Sequence, residues 1–290
     1  MEYNDYPALY KAADNASTSA QSAYLWLIKG HVFLLVVGAG LLVNSLPTKE
    51  YSLFNAFVFL CALGISIFLA VKKYEKTWYS ARAVAESVKT ATWRYMMKAD
   101  PFLDAPTIKE VNSVFRNLLN EILRSNNQLG EVLGGAVSAS DQLSAEMEST
   151  RASSLENRKS VYLKDRVDEQ RKWYADKSGC NKCNGKRFFI LLVVLQVVAI
   201  GLVLARIAYP QWTVWPTDVF IVMAGGVLTW IQVKRFQEIA TAYALAAHEI
   251  GIVRGYLADS DTDEEFSRFV KDAENAFSRE HTQWVVRQNS

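Results

Sequence analysis

The run FFILLVVLQVVAIGLVLA, Phe188 to Ala205, is eighteen residues long and holds no charged side chain. Roughly 20 apolar residues at about 1.5 Å per residue cross a hydrocarbon core about 30 Å thick, so this run reads as a membrane-spanning helix. Tyr51 to Val71 and Val219 to Val233 are equally free of charge. Val32 to Pro47 is clean but short, and gains spanning length when carried back to Leu25 through Lys29 and His31. Four spans are expected, at about 25–46, 51–71, 188–208 and 217–233. Whole-chain averages conceal them, because half the 290 residues are hydrophobic and 21% are charged, as in a soluble globular protein.

Charge placement supplies the orientation. The residues before the first run include Glu2, Asp5 and Asp14 against Lys11 and Lys29, unlike the basic start of a signal peptide, so the run is expected to stay as an anchor. Pro47 to Glu50 holds only Lys49, and Tyr209 to Thr217 holds no base, with Arg206 at its edge. All other Lys and Arg residues fall on the opposite side, with Lys72, Lys73, Lys186, Arg187, Lys234 and Arg235 at the span ends. The positive-inside rule then puts both termini and the middle segment in the cytoplasm of a multi-pass membrane protein. Trp212 and Trp215 suit the outer interfacial belt. A net charge of +2, without a basic stripe interleaved with aromatics, gives no reason to expect a nucleic-acid partner.

Sliding the chain along itself by about 162 residues superposes the first span on the third, and Lys72-Lys73-Tyr74 on Lys234-Arg235-Phe236. The fold class is therefore an all-α membrane protein built from two repeats, residues 1–150 and 151–290. Each repeat carries a transmembrane helical hairpin and adds helices to a cytoplasmic bundle. Trp78 to Lys98 lacks Gly and Pro until Asp100-Pro101 breaks it. Thr107 with Glu110, and Thr262 with Glu265, make capping boxes ahead of the seams Ile108, Val111, Phe115, Leu118, Ile122 and Phe266, Phe269, Val270, Ala273, Phe277. About Asp141 to Lys177 also lacks Gly and Pro and reads as one long helix. On its last part Tyr162, Arg166, Gln170 and Tyr174 recur every fourth residue, forming a face expected to pack on the helix that leaves the second hairpin.

Several of these segments resemble the SLATT superfamily, two-span membrane domains associated with SLOG and nucleotide-synthase proteins of prokaryotic conflict systems. The likeness lies in WYSARAVAESVKTATWRYMMKADPF, Trp78 to Phe102, directly after the first hairpin. It continues in RVDEQRKWYADKS, Arg166 to Ser178, before the second hairpin, and in SREHTQWVVRQ, Ser278 to Gln288. Two variants in tandem would cover nearly the whole chain. The resemblance implies a bacterial inner-membrane effector that oligomerises and perturbs the membrane, as a pore, when a separate nucleotide-sensing or SLOG-type activator signals. It brings no catalytic residues.

Residue chemistry adds candidates. Cys180 and Cys183 in CNKC could supply half a zinc site, but no His or third Cys stands nearby, and free thiols in a turn flanked by Gly179 and Gly185 are the preferred reading. Within the spans Asn44, Asn55, Gln196, Thr229 and Gln232 could line an aqueous path or join helices by hydrogen bonds. Outside them Arg82, Glu86, Trp93, Arg94, Gln170, Trp173, Tyr174 and Trp284 form the candidate cytoplasmic set, as an activator contact surface or as ordinary packing. No Ser-His-Asp arrangement or phosphate loop stands out, so no enzyme and no cofactor are expected. The competing reading is a membrane-anchored scaffold or sensor whose bundle binds a partner.

Overall fold

The computed structural model describes residues 1–43, 48–103, 107–133 and 142–288. The described elements are α1 (Ala8–Val43), α2 (Lys49–Lys72), α3 (Tyr74–Met96), α4 (Ile108–Ser125), α5 (Gly130–Leu133), α6 (Ala145–Ala152), α7 (Leu155–Tyr162), a π-helical turn (Leu163–Asp168), α8 (Glu169–Ala208), α9 (Thr217–Lys234), α10 (Phe236–Gly255) and α11 (Asp263–Gln288). Four helical stretches, in α1, α2, α8 and α9, are long and apolar enough to cross a membrane. The protein is an all-α membrane protein with four spans. The chain forms two compact units, one of Ser22–Tyr74 with Ser178–Thr241, the other of Met1–Gln21, Glu75–Lys177 and Ala242–Ser290.

In the four-span unit the usual inside-out distribution is absent. Phe54, Phe57, Leu60, Ile67, Val197, Ile200 and Leu204 point outward, while the core of the second hairpin is little more than Leu192, Leu195 and Ala224. Lipid tails solvate such a surface as well as a protein core would, so helix pairing rests on close fit and on hydrogen bonds. Gly38 lets the Phe59 ring lie against α1, where a Cβ would come within 2.8 Å of it. Gly226 lets α9 approach Val32 of α1 closely enough that a Cβ would overlap it. His31 Nδ1 sits 3.2 Å from the Ala62 carbonyl and 3.4 Å from Ser66 Oγ, joining α1 to α2. At the base-poor end Tyr209 stacks on Trp212, Trp215 packs tilted against Trp212, and the Trp215 indole N–H donates to the Trp212 carbonyl at 3.0 Å.

The second unit is a helical bundle around Val84, Val88, Trp93, Tyr95, Phe102, Phe115, Tyr162, Phe266 and Val270. Both threonines cap their helices, and the full reciprocal box is seen at Thr262. Thr107 Oγ1 accepts from the Glu110 N–H at 3.3 Å, and Thr262 Oγ1 from the Glu265 N–H at 3.2 Å. Glu265 Oε2 accepts in return from the N–H of Thr262 and of Asp261, which holds its carboxyl below the ordinary range. The α11 seam is buried at all five expected positions, whereas on α4 Ile108 is exposed and Leu119 takes a buried place beside Phe115.

Two expectations need correcting. The long helix from about Asp141 to Lys177 is broken, its first residue lying outside the described segments. Ser153 and Ser154 are extended between α6 and α7, and the Ser154 hydroxyl caps the Asn157 N–H at 3.3 Å. Serine side chains offered the backbone local partners that neither Gly nor Pro was needed to create. Conversely, no turn forms at CNKC, since α8 runs unbroken through Gly179, Cys180, Cys183 and Gly185. Gly185 serves packing instead, with Phe236 lying 3.2 Å from where its Cβ would be.

Each hairpin ends on a left-handed basic residue, Lys73 at φ 48° and Arg235 at φ 45°, whose N–H closes onto Leu69 and Ile231 respectively. The two positions coincide when the sequence is slid along itself by 162 residues. A side chain there stores about 1–2 kcal/mol of strain, and glycine would relieve it while adding about 0.4–1 kcal/mol of unfolded-state entropy. Lys73→Gly and Arg235→Gly should each raise stability by roughly 1 kcal/mol, seen as a higher unfolding midpoint in detergent. Losses at both positions would mean the basic side chains contribute more than the strain removes.

Candidate functional site

The densest polar constellation lies in the core of the bundle and is centred on Glu274 of α11. This carboxylate is fully buried and accepts four hydrogen bonds. Arg166 Nε and Nη2 donate to Oε1 and Oε2 at 2.8 and 2.7 Å, Tyr162 Oη donates to Oε1 at 3.0 Å, and Thr90 Oγ1 donates to Oε2 at 2.9 Å. A carboxylate has about four lone-pair directions, and all are used. The guanidinium of Arg166 is completed by Gln170 Oε1 at 3.3 Å and by the Phe277 ring, 4.9 Å from its centroid. Burial works against the Arg166 charge, and the adjacent carboxylate more than reverses that, holding its pKa above the ordinary arginine value. Tyr162 is raised well above the usual phenol, by burial and then by the Glu274 charge.

Around this centre the predicted residues of the bundle take their places. Arg82 reaches Glu86 Oε1 at 2.5 Å and Asp14 Oδ1 at 3.4 Å, so the expected i,i+4 pair extends to a third partner on α1. Trp93 is fully buried, donates to the Tyr6 hydroxyl at 3.1 Å and meets Tyr162 edge-on. Arg94 Nη2 donates to Asn275 Oδ1 at 2.7 Å, while its buried Nε has no hydrogen-bond partner among the described residues. Trp173 is partly exposed and stands edge-on to the buried Tyr174, and both pack on Tyr243 of α10. Trp284 falls on α11 beyond the last described side chain.

The four-residue face of Tyr162, Arg166, Gln170 and Tyr174 holds together, but its partner is corrected. Tyr174 meets the helix leaving the second hairpin at Tyr243, while Tyr162 engages Trp93 of α3 and Glu274 of α11, and Arg166 engages Glu274. Strict four-residue spacing drifts around a 3.6-residue helix, and the wider π turn at Leu163–Asp168 counters that drift. Sequence reading missed Glu274, although a lone carboxylate between Ala273 and Phe277 on an apolar seam was its signal. It also missed Arg151 and Arg158, both buried. Arg151 donates to the Tyr95 and Phe102 carbonyls at 2.6 and 2.7 Å. Arg158 donates to the Met97 carbonyl at 3.0 Å and pairs with Asp263. These cations satisfy carbonyls at and just beyond the C-terminus of α3, where the helix dipole also favours them.

The intramembrane candidates are not gathered into one cluster. Asn55 is buried in α2 and its Oδ1 has no hydrogen-bond partner among the described residues. Gln196 is exposed in a groove between α8 and α9, beside Leu192, Ala199, Ala224 and Gly225. Thr229 is exposed and satisfied by its own helix, donating to the Gly225 carbonyl at 2.9 Å, and Gln232 is exposed as well. Asn44 lies outside the described residues. Cys180 and Cys183 are free and exposed, one turn apart on α8, and among the described residues no group of three His, Cys, Asp or Glu could hold a metal.

Two family models match the chain in succession. The description "SMODS and SLOG-associating 2TM effector domain 3" covers residues 7–159, and "SMODS and SLOG-associating 2TM effector domain 1" covers residues 162–284. No curated protein and no solved structure matches.

Removing one member of a buried ion pair strands the other, at about 3–5 kcal/mol, while replacing both by apolar groups is often tolerated. Glu274→Met and Arg166→Met should therefore each destabilise strongly, and the two combined should recover most of the loss in a double-mutant cycle. Burial raises the Tyr6 phenol to about 12, against opposing pulls from Arg166 and the Trp93 N–H. An unfolded chain releases that proton near pH 10 while the folded one keeps it. This stability is thus complete below about pH 10 and lost as pH rises through about 12. Unfolding midpoints of Tyr6→Phe should fall less steeply over that window than those of the wild type.

Proposed function

The chain belongs to the SMODS- and SLOG-associating two-transmembrane effector family, with two of its domains in tandem, and we propose that it acts as a bacterial inner-membrane effector assembling from several copies to open a pore or disrupt the bilayer. The observation that carries this reading is Gln196. It stands midway along the charge-free run of α8, exposed, with no hydrogen-bond partner among the described residues. An amide unsatisfied in hydrocarbon costs several kcal/mol, and a second copy or a water-filled lumen removes that penalty. Small residues Ala199, Ala224 and Gly225 beside it allow another helix to come close. The unpartnered oxygen of Asn55 supports the same reading, as a group awaiting a rearranged packing.

In this scheme both termini face the cytoplasm, as the distribution of Lys and Arg favours. The bundle receives a separate SLOG-type or nucleotide-signalling activator, within a defence or conflict system. The action is on the membrane and not enzymatic. A scaffold role would use the same bundle with the spans as mere anchor.

The test uses a chain whose Cys61, Cys180 and Cys183 are serine and which carries Gln196→Cys. Oxidation in native membranes should give a disulfide-linked dimer of this chain. In reconstituted vesicles Gln196→Leu should cut release of entrapped dye at least tenfold while helix content is unchanged. Uncross-linked monomer and tight wild-type vesicles under every activating condition would overturn the proposal. Activity surviving exchange of the spans for unrelated ones would favour the scaffold.

A further inference from the structure

A second groove of the four-span unit, about 510 Å³, runs between α1 and α9. Its register is antiparallel, with Lys29 level with Trp230, Val32 against Gly226 and Val36 in line with Met223. Seven residues of helix give it a length of about 10 Å. Its two ends differ chemically. At one, the Lys29 ammonium lies over the rings of both Trp26 and Trp230, 5.1 Å from each centroid, and Lys234 covers Trp230 at 5.9 Å. Among the described residues Lys29 forms no ion pair, although it sits within the apolar run of the first span. The remainder of the groove is apolar, closed at its base by Gly226 and open where Phe33 is two-thirds exposed.

One positive end and one apolar channel describe the complement of an amphiphile with an anionic head. We propose that the groove binds an anionic phospholipid, its phosphate at Lys29 and one acyl chain along Val32, Val36, Met223 and Val227. Lys29 and Lys234 mark the base-rich end of the spans, so the lipid belongs to that leaflet. A zwitterionic head brings its own cation, which would meet the Lys29 ammonium, whereas a phosphatidylglycerol head brings none. A basic residue at the membrane surface contributes roughly a five-fold preference for anionic lipid.

Native mass spectrometry of the full chain in detergent, titrated with phosphatidylglycerol or phosphatidylcholine of identical chains, tests this. Phosphatidylglycerol should be retained preferentially, and Lys29→Gln should lower that preference by roughly five-fold without changing phosphatidylcholine binding. Inorganic phosphate should not displace the lipid. Equal retention of the two lipids, an unchanged preference in Lys29→Gln, or displacement by phosphate would each overturn the proposal. A measurement on the wild type avoids dependence on the variant. In nanodiscs, phosphatidylglycerol brominated on its chains should quench the tryptophan emission that Trp230→Phe removes more than brominated phosphatidylcholine does, and equal quenching would also overturn it.

Discussion

Hydrocarbon offers no partner to a peptide N–H or C=O, and that deficit governs the membrane half of this protein. Each span must satisfy its own backbone, so α1, α2, α8 and α9 cross as unbroken helices. The same deficit sorts the side chains. Thr229 and Ser66 turn their hydroxyls to carbonyls of their own helices, and His31 sits against Ala62 across the first hairpin. Among the described residues Asn55 Oδ1 and Gln196 find nothing equivalent. With no hydrophobic force to pull apolar helices together in lipid, contact depends on backbone approach, which is why Gly38 and Gly226 have neighbours pressed against them.

The bundle meets the opposite problem, with charges removed from water. It solves this by saturation. Every acceptor direction of Glu274 is occupied, and Arg166 is shared between a carboxylate, an amide and an aromatic face. Such a pair adds little net stability compared with apolar residues of the same size, because desolvation offsets the attraction. Its effect is on geometry. Tyr162, Arg166, Thr90 and Glu274 satisfy one another in one register of α11 against α3 and the π turn. A one-residue slip would leave a buried charge unmatched. Arg151 and Arg158 act similarly at the end of α3, turning its carbonyls into fixed contacts.

The spans were legible in the sequence because absence of charge over a run of eighteen residues has few other physical meanings. The helix caps were legible because Thr107 and Thr262 bind backbone three residues ahead, a purely local event. What failed to show was set by tertiary competition. Ser153 and Ser154 look like neutral helix residues until their hydroxyls find closer backbone partners. Gly179 and Gly185 look like a turn until a long helix, with Phe236 against one of them, overrides the weak local preference. The four-residue face of Tyr162 to Tyr174 was readable, yet its partner lies more than a hundred residues away in sequence, and no periodicity encodes that.

The two halves share a plan but divide the chemistry. Both stop their hairpins at a left-handed basic residue at the same repeat position. Arg82, however, bridges the buried Glu86 and Asp14 in the first half, whereas Glu249 in the second is exposed. The helices α4 and α11 carry the contrast further. Counted from their capping threonines, Val111 corresponds to Phe266, Phe115 to Val270 and Leu119 to Glu274, and all six are buried. The same helical position thus holds leucine in one repeat and a carboxylate in the other. An apolar residue is compatible with that architecture, so the carboxylate is explained by the arginine that faces it and not by the helix that carries it.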